Sequence, residues 1–319
     1  MTLIQEPGAL EHVQAAEAMA LPPQAASLRR DTVRNILRQR TAIIGFCILG
    51  FLVFVALSAD IISPYPPNTS MLDLGQPGTR GSPPCIHLLG CPEDQPQHIM
   101  GLDSNLRDTF SRVMHGSRVS LVIGIATVGL AIVIGTAIGA VAGYLSGTTD
   151  NILMRLMDVV LSFPSLILAI AIVTVLGTGL TNALMAIAIV SIPIYARVMR
   201  ASVLSVRETD FVTASKALGE GSAGILWRRI LPNSMTPLIV QGTLGIGGAI
   251  LEVAALSFVG LGAQPPTAEW GSMIAQDRNL FFSAPHLIFF PGVAITLSVL
   301  AFNLIGDGMR DALDPRLNR

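Results

Sequence analysis

FVTASKALGEGSAGILWRRILPN, residues Phe211 to Asn233, lies between two long apolar segments of the chain. Apolar residues recur within this stretch at helical spacing, which predicts two short helices. The glycines at positions 219 and 221 predict a turn between them, and Pro232 is expected to end the second helix. A compact helical segment with a face of small residues suits docking into a groove on a partner protein. An ordinary pair of interfacial helices is the alternative.

The composition is that of an integral membrane protein. Of the 319 residues, 51% are hydrophobic and only 13% are charged, and the mean hydropathy is +0.62. Soluble globular proteins usually carry about 25% charged residues. The net charge of −1 argues against nucleic acid as a partner, because nucleic-acid-binding domains are typically basic.

The lysine content excludes one kind of chemistry. Lys216 is the only lysine in the chain, and it lies in TASKALG, without the preceding glycines of a Walker A phosphate loop. The chain therefore lacks the residues to hydrolyse ATP by that mechanism. If ATP drives its function, another chain must bind the nucleotide.

Arginines orient the chain in the membrane. Five of them lie between residues 29 and 40, directly before an apolar run long enough to cross a bilayer. Because cytoplasmic flanks of spans are enriched in Arg and Lys, the N-terminus is expected in the cytoplasm. Six spans then place both termini and the 211–233 segment on the cytoplasmic side. The predicted spans are residues 41–59, 119–145, 152–176, 182–198, 237–259 and 287–305.

The predicted fold is all-α, a polytopic membrane protein with six transmembrane helices. Residues 98–117 predict a short amphipathic helix at the outer surface, after a stretch rich in Pro and Gly. The expected segments are a disordered cytoplasmic tail (1–28), a first transmembrane region (29–63), an external loop with the surface helix (64–116), a transmembrane domain (117–306) and a cytoplasmic C-terminal tail (307–319).

Two features within the spans predict how the helices pack. Gly135, Gly139 and Gly143 recur every four residues, so they place small residues on one helix face and allow another helix to approach closely. In the third span, Pro164 predicts a kink, and Arg155 and Asp158 are spaced to form an ion pair.

Glu252 is an acid inside a predicted span, where charged groups are costly and usually face the protein interior or water. One hypothesis is that it lines a transport path, meeting a peptide amine or closing an outer gate. The alternative is a hydrogen-bonded acid that packs between subunits.

Cys85 and Cys91 lie in one polar loop, PPCIHLLGCPED, with His87 and His98 nearby. Their spacing matches no usual zinc pattern, so no metal site is predicted. A local disulfide is favoured if the loop lies outside the cell.

The spacing of Ala214, Gly219 and Leu231-Pro232 resembles the cytoplasmic "EAA" loop of ABC-importer permeases, with Thr213 in place of the usual Glu. Three further runs resemble the dipeptide/oligopeptide ABC permeases of the second-subunit, "C" type. They are GLDSNLRDTFSRVMHGSRVSLVIG (101–124), LSFVGLGAQPPTAEWG (256–271) and LAFNLIGDGMRDALDP (300–315). One departure is Leu106, where that family usually has Gly; it is expected to stiffen the outer helix.

The resemblance implies a type I ABC-importer permease fold, with residues 117–306 as the permease domain and 211–233 as the cytoplasmic coupling helix. It implies that Ala214, Ser215, Lys216 and Gly219 contact an ATPase. The expected partners are a homologous second permease, two ABC ATPases, an extracellular or periplasmic substrate-binding protein and the lipid bilayer. The chain itself would be no enzyme and hold no cofactor, since ATP and Mg bind to the ATPases.

The implied function is import of dipeptides or oligopeptides across the bacterial cytoplasmic membrane by alternating access. Glutathione or a nickel chelate is the alternative cargo within the same class. An ion-coupled carrier would need ionisable residues in several spans, and Glu252 is nearly alone. A membrane enzyme would need clustered catalytic residues, and the five histidines are scattered.

Overall fold

The computed structural model describes residue 36, residues 39–92 and residues 95–313. The predicted tail at 1–28 and residues 314–319 lie outside the described residues. The described part is helical apart from its loops and two isolated β-bridges. The helices are α1 (Arg40–Ile62), α2 (Thr109–Leu145), α3 (Gly147–Leu161), α4 (Ser165–Leu176), α5 (Leu180–Arg207), α6 (Asp210–Ala217), α7 (Ser222–Phe258), α8 (Trp270–Asp277) and α9 (His286–Leu313).

The all-α membrane fold is confirmed. Within the described residues, five helices are long and apolar enough to cross a membrane: α1, α2, α5, α7 and α9. Helices α3 and α4 pass the same test together, which gives up to six spans. Helix α7 lies at the centre and packs against α2, α5 and α9.

The third span differs from the single kinked helix predicted for residues 152–176. It consists of α3 and α4, which meet at an angle of 90°. Pro164 precedes α4 in an extended conformation, with φ −57° and ψ 129°. Because proline has no N–H and disfavours helical geometry in the residue before it, the helix stops instead of bending.

The separate surface helix predicted within residues 98–117 was wrong. Residues 98–108 form turns, and α2 then runs without interruption from Thr109 into the membrane. Its start is set by Asp108, whose carboxylate accepts a hydrogen bond from the Ser111 N–H at 2.8 Å. Such an N-cap satisfies a donor that the first turn leaves free, and no proline interrupts the helix after it.

The predicted close approach along the glycine face is confirmed, and the partner is α5. A Cβ on Gly135 would lie 2.9 Å from the Ile192 carbonyl oxygen, and one on Gly143 would lie 2.9 Å from that of Arg200. Between them, a Cβ on Gly139 would overlap the Ala196 carbonyl group. The two backbones therefore touch along a seam that only glycine permits.

Pro232 was predicted to end the second helix of the 211–233 segment, but the helix continues past it. Helix α7 continues from Ser222 to Phe258 and contains a π-helical stretch, Ile225–Ile230, that ends two residues before the proline. The wider turn accommodates the proline ring, and the Asn233 side chain donates to the Arg229 carbonyl oxygen at 2.6 Å. At the other end of the chain, α9 extends to Leu313, into residues predicted as a tail.

Candidate functional site

The 211–233 segment contains the predicted short first helix and turn, but its second helix is the start of the long α7. Helix α6 ends at Ala217, and Gly219 follows with φ +80°, a left-handed conformation that glycine adopts without strain. The segment is fixed to the bundle by apolar side chains that are 1% exposed or less: Val212, Ile225 and Ile230. They join the main core cluster, which includes Val203 of α5.

The opposite face of this segment is open. The residues predicted to contact an ATPase lie together here: Ala214, Lys216 and Gly219 are exposed, and Ser215 is partly exposed. The Ser215 hydroxyl donates to the Phe211 carbonyl oxygen at 2.9 Å, so it is used within α6. Leu218 is 88% exposed and Trp227 53% exposed. Leu218 follows α6 and Trp227 lies in α7, so both helices of the segment leave a large apolar side chain uncovered, as on a surface that a partner covers.

The base of the segment is tied to the end of α2. The Arg207 guanidinium donates to the carbonyl oxygens of Gly143 and Tyr144, at 3.2 and 3.1 Å, and to the Ser146 hydroxyl at 2.6 Å. Those carbonyls have no partner within their own helix, and a cation suits the negative end of the helix dipole. Movement of the segment would therefore displace α2 and α5 together.

Glu252 lies on a face of α7 that also contains Gln241 and Gly248. Residues 241 and 252 are about three helical turns apart, which places them on one side. Gly248 on this side is exposed, and a Cβ added there would meet nothing within 4 Å. The Glu252 carboxylate accepts a hydrogen bond from the Ser165 hydroxyl, at the start of α4, at 3.2 Å. The space in front of this polar face is open at Gly248, whereas Gly245 on the same face lies against the Tyr195 hydroxyl.

Residues 63–108 and 259–285, which we call the cap, cover the end of α2 opposite the 211–233 segment. Asp103 is its centre: its carboxylate accepts from the backbone N–H groups of Asn105 and Arg107 at 2.8 Å and pairs with the Arg107 guanidinium at 2.7 Å. The Arg112 guanidinium lies 3.5 Å away and donates to the carbonyl oxygens of Pro67 and Pro266. These contacts join both parts of the cap to α2.

Three further hydrogen bonds hold the second part of the cap in place. Arg107 donates to the Gln276 side-chain oxygen at 2.6 Å, and the Ser104 N–H donates to the Asp277 carboxylate at 3.1 Å. The Trp270 indole, 1% exposed, donates to the Val113 carbonyl oxygen at 3.0 Å. The sequence reading missed these roles; the one local signal was the spacing of Asp108 and Ser111 at a helix start.

Buried acids in the cap have shifted pKa values. Burial raises the pKa of the Glu269 carboxyl above its usual value, although the N–H groups of Gly271 and Ser272, which it caps, lower it in part. Burial likewise raises the pKa of Asp277, against the lowering effect of its hydrogen bonds from Ser104. Both acids therefore hold a proton to a higher pH in the folded chain than in the unfolded chain.

Leu106 is not in a helix, so the expectation that it stiffens one was wrong. Its φ is +61°, a left-handed conformation that costs a non-glycine residue about 1–2 kcal/mol. Its side chain is 8% exposed and packs with Met71 and Leu102, and its carbonyl oxygen accepts from the Met71 N–H at 2.8 Å. Burial of the side chain offsets the backbone strain.

Cys85 and Cys91 are joined by a disulfide, with Cα atoms 5.4 Å apart. The loop that they close borders a cavity of about 940 Å³, together with His98 and Leu102. Within residues 39–92 and 95–313, no three His, Cys, Asp or Glu side chains are grouped so as to hold a metal ion.

Comparison with known proteins agrees with this geometry. The family model described as "binding-protein-dependent transport system inner membrane component" matches residues 135–319, more than half of the chain. The chain belongs to this family. A second model, the N-terminal transmembrane domain of oligopeptide transport permease C, matches residues 27–83. The resemblance to the C-type peptide permeases is thereby confirmed.

Curated relatives match over almost the whole chain. The dipeptide transport system permease protein DppC of Alkalihalophilus pseudofirmus is 42% identical over 93% of this chain and 94% of its own length. The di/tripeptide transport system permease protein DppC of Pseudomonas aeruginosa is 43% identical over 89% and 91%. The glutathione transport system permease protein GsiD of Pectobacterium atrosepticum is 40% identical over 90% and 91%.

A solved structure shows the same fold. The inward-facing MetNI methionine ABC transporter aligns with a TM-score of 0.53 and 18% identity, over 64% of this chain and 98% of the matched one. The fold is that of a type I ABC-importer permease. The chain is thus a multi-pass permease subunit of an ABC importer, in bacteria a protein of the inner membrane. It is not an enzyme, and ATPase activity lies in partner subunits.

Proposed function

We propose that this permease subunit imports dipeptides and short peptides by alternating access. The names of the DppC relatives support this cargo. Glutathione, which is itself a tripeptide, is the second candidate, because the GsiD relative is nearly as similar. Nickel chelates and ion-coupled transport remain as alternatives, and neither is favoured by the relatives named above.

The assembly that fits this role has both termini and the 211–233 segment in the cytoplasm. There Ala214, Ser215, Lys216 and Gly219 contact one of two ABC ATPases, which bind ATP and Mg. A homologous second permease completes the membrane part, and an extracellular or periplasmic binding protein delivers the cargo.

The observation that carries this proposal is the two-sided nature of the 211–233 segment. Its exposed face presents Leu218 and the four predicted contact residues to solvent. Its buried face is packed into the core by Val212 and Ile230. A force applied to the exposed face would therefore pass to α5 and α7 with little loss. Those two helices contain the seam with α2 and the polar face with Glu252.

The proposed cargo gives Glu252 a role in the path. A peptide has an N-terminal ammonium group, and a carboxylate on an open helix face within the membrane is a suitable transient partner for it. The hydrogen bond from Ser165 holds the carboxylate in place while no cargo is present. Few other charges face this side of α7, so the cargo would be passed on instead of held.

The test is ATP-dependent dipeptide uptake into proteoliposomes that contain the complete importer and its binding protein. Gly219→Pro forces a left-handed position into a conformation that proline cannot adopt, so uptake should fall at least tenfold. Gly221→Pro is the matched control: φ there is −66°, close to the value that proline fixes, and uptake should stay within twofold.

The outcomes separate the parts of the proposal. Uptake that requires no ATPase subunit would refute the importer assignment. Glutathione uptake without dipeptide uptake would keep the importer and replace the cargo. Equal uptake by the two proline variants, with both complexes assembled, would show that the conformation at Gly219 does not matter for coupling.

Glu252→Gln tests the path role separately. The amide can still accept the Ser165 hydrogen bond but has no charge, so peptide uptake should fall at least threefold while ATPase activity is retained. Ser165→Ala, which removes the hydrogen bond and keeps the charge, should have the smaller effect. Unchanged uptake in Glu252→Gln would leave the acid a packing role.

A further inference from the structure

The α3 half of the broken span is weakly embedded in the bundle. Only Asp150 and Met157 are buried among its residues, and it meets α4 at 90°. Ile152, Leu156 and Val159 are each more than half exposed. Apolar packing within this chain therefore does little to set the position of α3 against its neighbours.

Two ion pairs with α5 fix the position of α3 instead. The Arg200 guanidinium binds the Asp150 carboxylate at two points, Nε to Oδ1 at 2.5 Å and Nη2 to Oδ2 at 2.6 Å. Arg197 pairs with Asp158 at 2.5 Å, in place of the predicted pair between Arg155 and Asp158, which the structure does not form. Asp150 and Asp158 are about two helical turns apart on α3, and the two arginines about one turn apart on α5.

Both arginines lie on the helix that leads into the 211–233 segment. Arg200 is seven residues before Arg207, the last residue of α5, and α6 begins at Asp210. At about 1.5 Å per residue, the Asp150 contact is about 10 Å from that end. The other half of the broken span is held elsewhere, since Ser165 of α4 bonds to Glu252 of α7.

We propose that the Asp150–Arg200 pair is the positioning contact through which movement of the 211–233 segment is passed to α3, with Asp158–Arg197 as a second, more exposed contact. This inference rests on the proposed function. A two-point contact between a guanidinium and a carboxylate fixes orientation as well as distance, so α3 must turn when α5 turns. The pair is partly exposed, at 35% for Arg200 and 11% for Asp150, so its contribution to stability is small and register is its main effect.

The residue that tests this assignment most cleanly is Arg155. It borders the same cavity of about 600 Å³ as the two ion pairs, yet within the described part of the chain it forms no salt bridge. Removal of its charge alters the same local environment without breaking a link between α3 and α5. Arg155→Gln is therefore the matched control.

The experiment measures peptide imported per ATP hydrolysed by the complete importer in proteoliposomes. Asp150→Asn and Arg200→Gln should each lower this ratio at least fivefold, while ATPase stimulation by the binding protein stays within twofold. The exchange Asp150→Arg with Arg200→Asp should restore at least half of the ratio. Arg155→Gln should leave it unchanged.

If the neutral variants do not assemble, Arg200→Lys provides the test, because it keeps the charge and should assemble. Lysine is a point charge that does not make the two-point contact, so the ratio should fall at least twofold. An unchanged ratio in Arg200→Lys would overturn the inference. So would an exchange variant that assembles but does not regain the ratio. Absence of ATP-dependent uptake in the unmodified importer would instead count against the proposed function itself.

Discussion

The charged cluster of the cap and the 211–233 segment differ in whether the chain itself covers their side chains. In the cap, Asp103, Arg107 and Arg112 are charged yet 5% exposed or less, and each is bonded within the chain. In the 211–233 segment, Leu218 is apolar yet 88% exposed. The buried charges of the cap are paired within the chain, whereas the 211–233 segment leaves Leu218 uncovered where an ATPase contact is proposed. The cap also exposes apolar side chains, such as Phe282, so the contrast concerns its charged cluster. The first arrangement suits a rigid support, and the second suits a surface that works only with a partner.

The largest effect should come from Asp103→Asn. Loss of the carboxylate leaves the buried guanidinium groups of Arg107 and Arg112 without their central partner, which should cost about 3–5 kcal/mol of unfolding free energy. Chemical unfolding of the purified chain in detergent, followed by tryptophan fluorescence, measures it. Asp73→Asn, an exposed acid of the same region, should change the value by less than about 0.5 kcal/mol. Equal effects of the two substitutions would mean that the buried ion pairs of Asp103 contribute no more to stability than an exposed acid does.

The seam between α2 and α5, which connects the two regions, should show an intermediate effect. Gly139→Ala places a Cβ against the Ala196 carbonyl group and should destabilise the chain by about 1–3 kcal/mol. Gly129→Ala on the same helix has open space around it and should be neutral or slightly stabilising. The same unfolding measurement compares them. If the two variants behave alike, the close approach of the helices is not what holds the regions together.

A smaller effect is expected from pH. The pKa of Glu269 is raised by burial, so above its unfolded value of 4.5 the folded chain keeps a proton that the unfolded chain has released. The unfolding free energy should therefore fall as pH rises from 4.5 through the folded pKa. Glu269→Gln should make this fall shallower, and Asp73→Asn should not. An identical pH profile in Glu269→Gln would show that this acid does not contribute to it.

The same contrast explains what could be read from the sequence. The four-residue spacing of Gly135, Gly139 and Gly143 predicts close helix packing. The residue type at Gly219 predicts the turn. The contacts of the cap could not be foreseen, because Asp103 and Arg107 lie in the predicted amphipathic surface helix, where charges resemble solvated ones. Gln276, which accepts from Arg107, and Asp277, which accepts from the Ser104 N–H, lie about 170 residues away in the chain. The hydrophobic pattern likewise could not separate a kink at Pro164 from a break, since both leave the same apolar residues in sequence.

Cysteine cross-linking to the ATPase subunits tests the comparison between the two regions most directly. In a Cys47→Ser background, Leu218→Cys and Phe282→Cys place nearly fully exposed thiols, at positions 88% and 95% exposed, on the 211–233 segment and the cap respectively. We expect a short bifunctional reagent to join Leu218→Cys to an ATPase subunit of the intact importer, more efficiently with bound ATP, and not to join Phe282→Cys. A cross-link from Phe282→Cys, or none from Leu218→Cys in an active complex, would contradict it.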